Sequence, residues 1–145
     1  MVTYEYVGAF ISRYKLEQAI ACIRRTPLKC AVMNPHVTFE YKPLHVDVEL
    51  FGRYIDVRIV GYGCDGKNEG LAVEVFSEMP ELKQKIERIP VPHITLSTSA
   101  DGKAVNTRYL TFYDVPPIAI AGTYGGFSYS DRNVHLRSTG NAIFL

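Results

Sequence analysis

The chain has 145 residues and a mass of 16.3 kDa, with 47% hydrophobic and 21% charged residues, a composition that supports one globular domain with a proper core. A net charge of +1 excludes the broad basic footprint of a protein that grips long duplex nucleic acid, so a nucleic-acid ligand would be short and held in a pocket. No apolar run approaches the ~20 residues of a membrane helix, the opening Met1-Val2-Thr3-Tyr4-Glu5-Tyr6 lacks a signal-peptide pattern, and Cys22, Cys30 and Cys64 have neither metal-ligand spacing nor an even count; a cytoplasmic, membrane-free protein with reduced cysteines is expected.

Tyr4 to Ser12 alternates and is rich in aromatic and β-branched residues, as a strand should be, and Leu16, Ala19, Ile20 and Ile23 recur at helical spacing. Pro27 stops that helix, and Asn34-Pro35 punctuates again before an alternating strand from His36 to Tyr41. Val46 to Leu50 and Tyr54 to Val60 read as strands around the turn Phe51-Gly52-Arg53, and Gly61 to Gly70 reads as a loop. A second set follows: a strand from Leu71 to Phe76, a helix from Met79 to Arg88 and a strand from His93 to Ser97. From Tyr109 to Leu145, apolar stretches broken by Pro116-Pro117 and a glycine-rich, mobile turn at Gly122 to Gly126 fit further antiparallel strands.

Both halves thus run strand, helix, then a strand opening Pro-His-apolar-Thr-apolar: Pro35-His36-Val37-Thr38-Phe39 and Pro92-His93-Ile94-Thr95-Leu96, with the histidines 57 residues apart. This order predicts one α+β domain over residues 1–145, pseudo-symmetric and in two lobes. In a strand, side chains at i and i+2 share a face, so each His and Thr point together while Val37, Phe39, Ile94 and Leu96 point to the other side. Two imidazoles across a cleft supply a base and an acid near neutral pH, and two hydroxyls can donate to the non-bridging oxygens of a phosphodiester. Neither a metal nor another cofactor is required by such chemistry. His45 and His135 have no Thr or Ser two places on and are read as structural.

The paired motifs resemble those of the two-histidine (2H) phosphoesterase superfamily. Leu71-Ala-Val-Glu-Val-Phe76, Val91-Pro-His-Ile-Thr-Leu-Ser-Thr98 and Ala104-Val-Asn-Thr-Arg-Tyr-Leu110 further resemble the cyclic phosphodiesterase domain of fungal and plant-type tRNA ligases. The resemblance implies a bilobal, pseudo-symmetric fold with antiparallel sheets lining a central cleft, helices outside and both motifs on central strands, and metal-independent action on a 2′,3′-cyclic phosphate of a nucleotide or RNA end. It makes His36, His93, Thr38 and Thr95 the candidate catalytic residues. Alternatives are cleavage of 2′–5′ oligoadenylate or cyclic oligonucleotide signals, with an antidefence role, and a non-catalytic RNA-end binding module. Tyr124, Phe127 and Tyr129, in the segment where related enzymes often place an aromatic against the nucleobase, are candidate stacking residues, and Lys42 and Arg132 are candidate phosphate contacts. A monomer is expected.

Overall fold

The computed structural model describes residues 3–137. Strand β1 (Tyr4–Phe10) buries Val7, Ala9 and Phe10, and Ser12 then caps helix α1 (Arg13–Ala19), its hydroxyl accepting from the Lys15 N–H at 3.3 Å. The helix is short, but Leu16 and, just past its end, Ile20 are fully withdrawn into the core. A two-residue strand β2 (Cys30–Ala31), not expected from the sequence, precedes β3 (His36–Tyr41). Val46 to Leu50 is not a strand. It holds a single 3₁₀ turn (Val48–Leu50), because Leu50 and Phe51 bury themselves by turning the chain into the long strand β4 (Tyr54–Cys64).

The expected loop at Gly61 to Gly70 is instead the tip of a hairpin. β4 continues to Cys64 and β5 (Asn68–Phe76) begins four residues later; Asp65 closes the turn by accepting from the Lys67 and Asn68 N–H groups at 2.9 and 2.8 Å. Helix α2 (Pro80–Glu87) starts with proline at its first position, where no N–H is needed. β6 (His93–Thr98) and a 3₁₀ segment (Ala104–Tyr109) follow. β7 (Tyr113–Ser128) then runs straight through both expected interruptions, and β8 (Val134–His135) pairs with its end. The part of the Tyr109–Leu145 reading beyond residue 137 lies outside the described residues.

The prolines are tolerated for a physical reason. Asp114 pairs with Gly61 and Ile118 with Ile59, so Val115-Pro116-Pro117 occupies a bulge opposite Val60, and this half of β7 pairs with β4 alone. Proline's missing N–H removes no ladder bond there. The glycines answer crowding rather than mobility: a Cβ at Gly125 would stand 2.5 Å from the His135 carbonyl oxygen, and one at Gly126 would stand 2.5 Å from the Tyr4 ring.

The architecture is α+β, mostly antiparallel sheet with two short helices. One continuous eight-stranded sheet has the order β2-β6-β5-β4-β7-β1-β3, with β8 off the path, and every pairing is antiparallel. β7 joins its halves, pairing with β4 over Tyr113 to Thr123 and with β1 over Thr123 to Ser128. The sheet curls so that β3, at one end of the order, packs near β6, close to the other. Helix α2 touches both β3 and β5, and Lys85 ties it to Glu40 of β3 at 3.0 Å. One apolar core spans both halves and takes in Val37 and Ile94, the residues between each motif's His and Thr, both fully buried.

Candidate active site

The two motif strands are held in the same way. On β1, Phe10 lies opposite His36 and Gly8 opposite Thr38; on β5, Ala72 lies opposite His93 and Gly70 opposite Thr95. Glycine stands across from each threonine because nothing larger fits: a Cβ at Gly8 would meet the Val37 carbonyl oxygen at 2.0 Å, and one at Gly70 would meet the Thr107 methyl at 2.3 Å. One residue past each threonine the register slips. Phe39 and Leu96 are the extra residues of matching bulges, since Val7 pairs with Glu40 and Glu69 with Ser97. The bulge shifts the alternation of β3, so Tyr6 and its partner Tyr41 share a face with His36 and Thr38, whereas Glu40 turns towards Lys85.

Each imidazole is anchored by the carbonyl two residues upstream, across its proline: His36 Nδ1 lies 2.9 Å from Asn34 O and His93 Nδ1 lies 2.7 Å from Val91 O. A carbonyl only accepts, so both rings carry the proton on Nδ1 and keep the Nε2 lone pair available when neutral. Proline at the intervening position holds the preceding residue extended, which fixes the carbonyl being used. Burial pushes both imidazoles towards neutrality. His36 is lowered to about 4, mainly by desolvation against the opposing Asn34 hydrogen bond, with the charge of His93 adding to the fall; His93 is lowered by desolvation against the Val91 bond, with Arg108 adding to it.

His36 owes part of its burial to a stack of rings. Tyr6 lies against it at 4.3 Å between centroids and 17° between planes, Phe127 lies against Tyr6 at 5.3 Å and 6°, and the Arg132 guanidinium caps Phe127 at 4.9 Å. Removing the Tyr6 ring admits water to one face of His36. Tyr6→Ala is therefore expected to raise the His36 pKa from about 4 towards the ordinary ~6.5, while Tyr6→Phe leaves it near the wild-type value. Titration of the His36 ring resonances by NMR reads this directly, and an unmoved midpoint in Tyr6→Ala would refute the desolvating role of the stack.

The two threonines are not equivalent. Thr95 is buried, its hydroxyl 2.8 Å from Thr107 Oγ1 and 3.3 Å from Ala104 O, and Thr107 in turn accepts from Asn68 Nδ2 at 3.0 Å. Its single proton already has a protein acceptor. Thr38 makes no side-chain hydrogen bond among the described residues and presents its hydroxyl to the cleft.

His36, Thr38, His93 and Thr95 all line one cavity of about 620 Å³, large enough for a small organic ligand of nucleotide size. Its remaining wall is mainly apolar, with Val32, Ile89, Val91 and Val105, and among the lining residues the charges are one carboxylate, Glu5, and one guanidinium, Arg108. The five expected binding residues do not line it. Tyr124 is wholly buried in the core against Phe39 and Phe51, leaving no ring face for a base. Phe127 and Arg132 stand behind the wall, Phe127 stacked on Tyr6 and Arg132 3.6 Å from Glu5. Tyr129 is exposed near the end of β7, and Lys42 sits over the ring of Tyr41.

Tyr6, Tyr41 and Arg108 also line the cavity, beyond the site residues expected from the sequence. Tyr41 closely follows the first motif, but strict alternation from His36 would put Glu40, not Tyr41, on the cleft face, and the bulge reverses this. Tyr6 reads as an ordinary strand aromatic, and only its pairing with Tyr41 places it. Arg108 lies within the Ala104-Val-Asn-Thr-Arg-Tyr-Leu110 resemblance, which was the available signal. Among the described residues no group of three or more His, Cys, Asp or Glu side chains is placed to hold a metal ion, and no helix is long and apolar enough to cross a membrane. The sequence matches no family model, and no curated protein matches it significantly.

Proposed function

We propose that this chain is a phosphodiesterase of the two-histidine type, hydrolysing the 2′,3′-cyclic phosphate of a nucleotide or RNA end. The observation that carries the reading is the matched pair of imidazoles, each anchored at Nδ1 by the carbonyl two residues upstream, in one cavity. Each ring presents Nε2 as its reactive atom, which is the arrangement a base and an acid on the two sides of a phosphorus require. The matching registers and bulges of β1 with β3 and of β5 with β6 support the pseudo-symmetric, bilobal description.

In this reading the neutral His36 takes the proton from the attacking water, and His93 delivers one to the departing ribose oxygen. His93 enters the reaction protonated because a phosphate anion beside it favours the imidazolium, offsetting the desolvation that keeps it neutral in the empty cleft. The Thr38 hydroxyl donates to a non-bridging oxygen, and Arg108 supplies the fixed positive charge that the phosphate needs. The hydrogen bonds of Thr95 hold its strand beside the 3₁₀ segment that carries Arg108, so Thr95 contributes through position as well as contact.

The test is turnover in EDTA of a nucleoside 2′,3′-cyclic phosphate, an RNA ending in one, 2′–5′ oligoadenylate and a cyclic dinucleotide, each beside a His36→Ala/His93→Ala control. Cleavage of a cyclic phosphate by the wild type alone supports the proposal. Cleavage confined to either of the last two moves the substrate class to those signals, and no cleavage of any leaves a non-catalytic RNA-end binding module as the better description.

A further inference from the structure

Beside the cleft lie two elements, each an exposed tyrosine paired with a cation. In the first, Tyr41 follows the His36 motif and is 65% exposed. Lys42 has a φ of 48°, a conformation unusual for a residue with a side chain, and its N–H bonds to Glu5 O; the Lys42 ammonium lies 5.6 Å from the centre of the Tyr41 ring. In the second, Arg108 lines the cavity beside the His93 motif. Its guanidinium lies 4.9 Å from the centre of the Tyr109 ring and donates to the Tyr109 hydroxyl at 2.8 Å, and Tyr109 is 70% exposed. Neither ring packs in the core, so burial does not account for either aromatic.

An exposed aromatic ring with a cation on it is the element from which single-stranded nucleic-acid surfaces are built: the ring stacks a base of any sequence and the cation meets the adjoining phosphate. Two such elements border the site that would hold the scissile phosphate, one through Tyr41 and the other through Arg108, both of which line the cavity. We infer that the cleft takes an oligonucleotide of at least two residues, with one base stacked on Tyr41 and a neighbouring base on Tyr109, and not a mononucleotide alone. The inference rests on the proposed function for where the phosphate lies, and it names the substrate class of that site. The charge is local. A net charge of +1 offers no extended basic track, so binding should reach its full strength within a few nucleotides rather than grow with chain length.

Calorimetric titration with adenosine 3′-phosphate, the 3′-phosphorylated diadenylate and the 3′-phosphorylated tetra-adenylate tests this without needing turnover. Affinity is expected to rise about tenfold from one nucleotide to two, the scale of one stacked base, and little from two to four. The step should vanish in Tyr41→Ala and in Tyr109→Ala, whose exposed positions leave the fold intact by circular dichroism. Equal affinity for one and two nucleotides, a step that survives both substitutions, a continuous rise with length, or no binding at all would each overturn the inference. A step without turnover of any substrate in EDTA would retain the two-base surface and remove the phosphodiesterase. Turnover of a nucleoside cyclic phosphate without a step would do the reverse.

Discussion

Replacing His36 or His93 with alanine is expected to lower kcat on a cyclic phosphate by ~10²–10⁴-fold, the usual cost of one general acid or base. The double variant should be little worse than the worse single one, because in the proposed mechanism the two act as a unit. His36 stacks on Tyr6 and packs against the buried Phe10, whereas His93 has no such ring contact among the described residues. Each is half-buried at the cleft and its hydrogen bond is to a backbone carbonyl, so thermal stability should be nearly preserved in His93→Ala and modestly lowered in His36→Ala. The threonines should divide differently. Thr38→Val removes a free donor and is expected to cost ~10²-fold in kcat with an unchanged melting temperature, whereas Thr95→Val also breaks the Thr95–Thr107–Asn68 chain and should lower stability measurably. Single-turnover kinetics and thermal melts on the five variants check this. Equal behaviour of Thr38→Val and Thr95→Val in both measurements would remove the asymmetry derived from their hydrogen bonds.

Arg25→Ala is expected to destabilise the fold by ~3–5 kcal/mol at pH 7, the cost of stranding a buried charge. Glu69 is completely buried and is held by Arg25 Nε at 2.9 Å and Nη2 at 3.0 Å, by the Tyr62 hydroxyl at 2.7 Å and by the Ser97 hydroxyl at 2.7 Å. The same two hydroxyls accept from the Thr26 and Leu28 N–H groups at 2.8 and 2.9 Å, so this carboxylate fastens the chain between α1 and β2 to the second motif's side of the sheet. It also sits at the bulge beside Gly70, directly before the residue paired with Thr95.

Burial alone would push the Glu69 carboxyl up, but the hydrogen bonds from Arg25, Ser97 and Tyr62 outweigh it and hold the carboxyl below its ordinary value. In the wild type this stabilisation is therefore present above the unfolded carboxylate pKa of ~4.3 and is lost as the pH falls through the lower folded value. Without Arg25 the balance reverses: burial raises the folded pKa, and the native state gains a proton that the unfolded chain lacks. The deficit of Arg25→Ala should be largest at neutral pH and shrink towards pH 4. Denaturant melts at pH 7 and pH 4.5 compare the two, and Arg25→Ala/Glu69→Gln, which leaves no stranded charge, should recover part of the loss. A deficit that grows on acidification would contradict the assignment.

The candidate site residues were legible because their signal is local. Two His-x-Thr segments at strand spacing, each opening with proline, need only the i, i+2 geometry of an extended chain to put imidazole and hydroxyl together, and the core burial of Val37 and Ile94 follows from the same alternation. The strand–helix–strand order of both halves was likewise visible in the hydrophobic pattern. Errors fell where a residue's fate depends on a partner distant in sequence. Gly61 to Gly70 has the composition of a loop but is strand, because β4 and β5 pair there; Pro116-Pro117 has the composition of a break but fits the bulge opposite Val60.

The aromatic residues show the same division. Tyr124, Phe127 and Tyr41 are equally plausible base platforms by type, and their roles are set by what packs against each: a closed core around Tyr124, Tyr6 across Phe127, and solvent over Tyr41. By itself the sequence singled out His36, Thr38, His93 and Thr95 as candidate site residues and put each imidazole beside a hydroxyl, since both are properties of a few consecutive residues. Only the tertiary structure decided that the two pairs meet in one cavity, that both imidazoles use Nδ1 as the anchored nitrogen, and that Tyr6, Tyr41 and Arg108 complete the wall. Those depend on strand register, on matching bulges that shift the alternation after each threonine, and on the curl that brings β3 near β6, all of which are settled by packing between segments far apart in the chain.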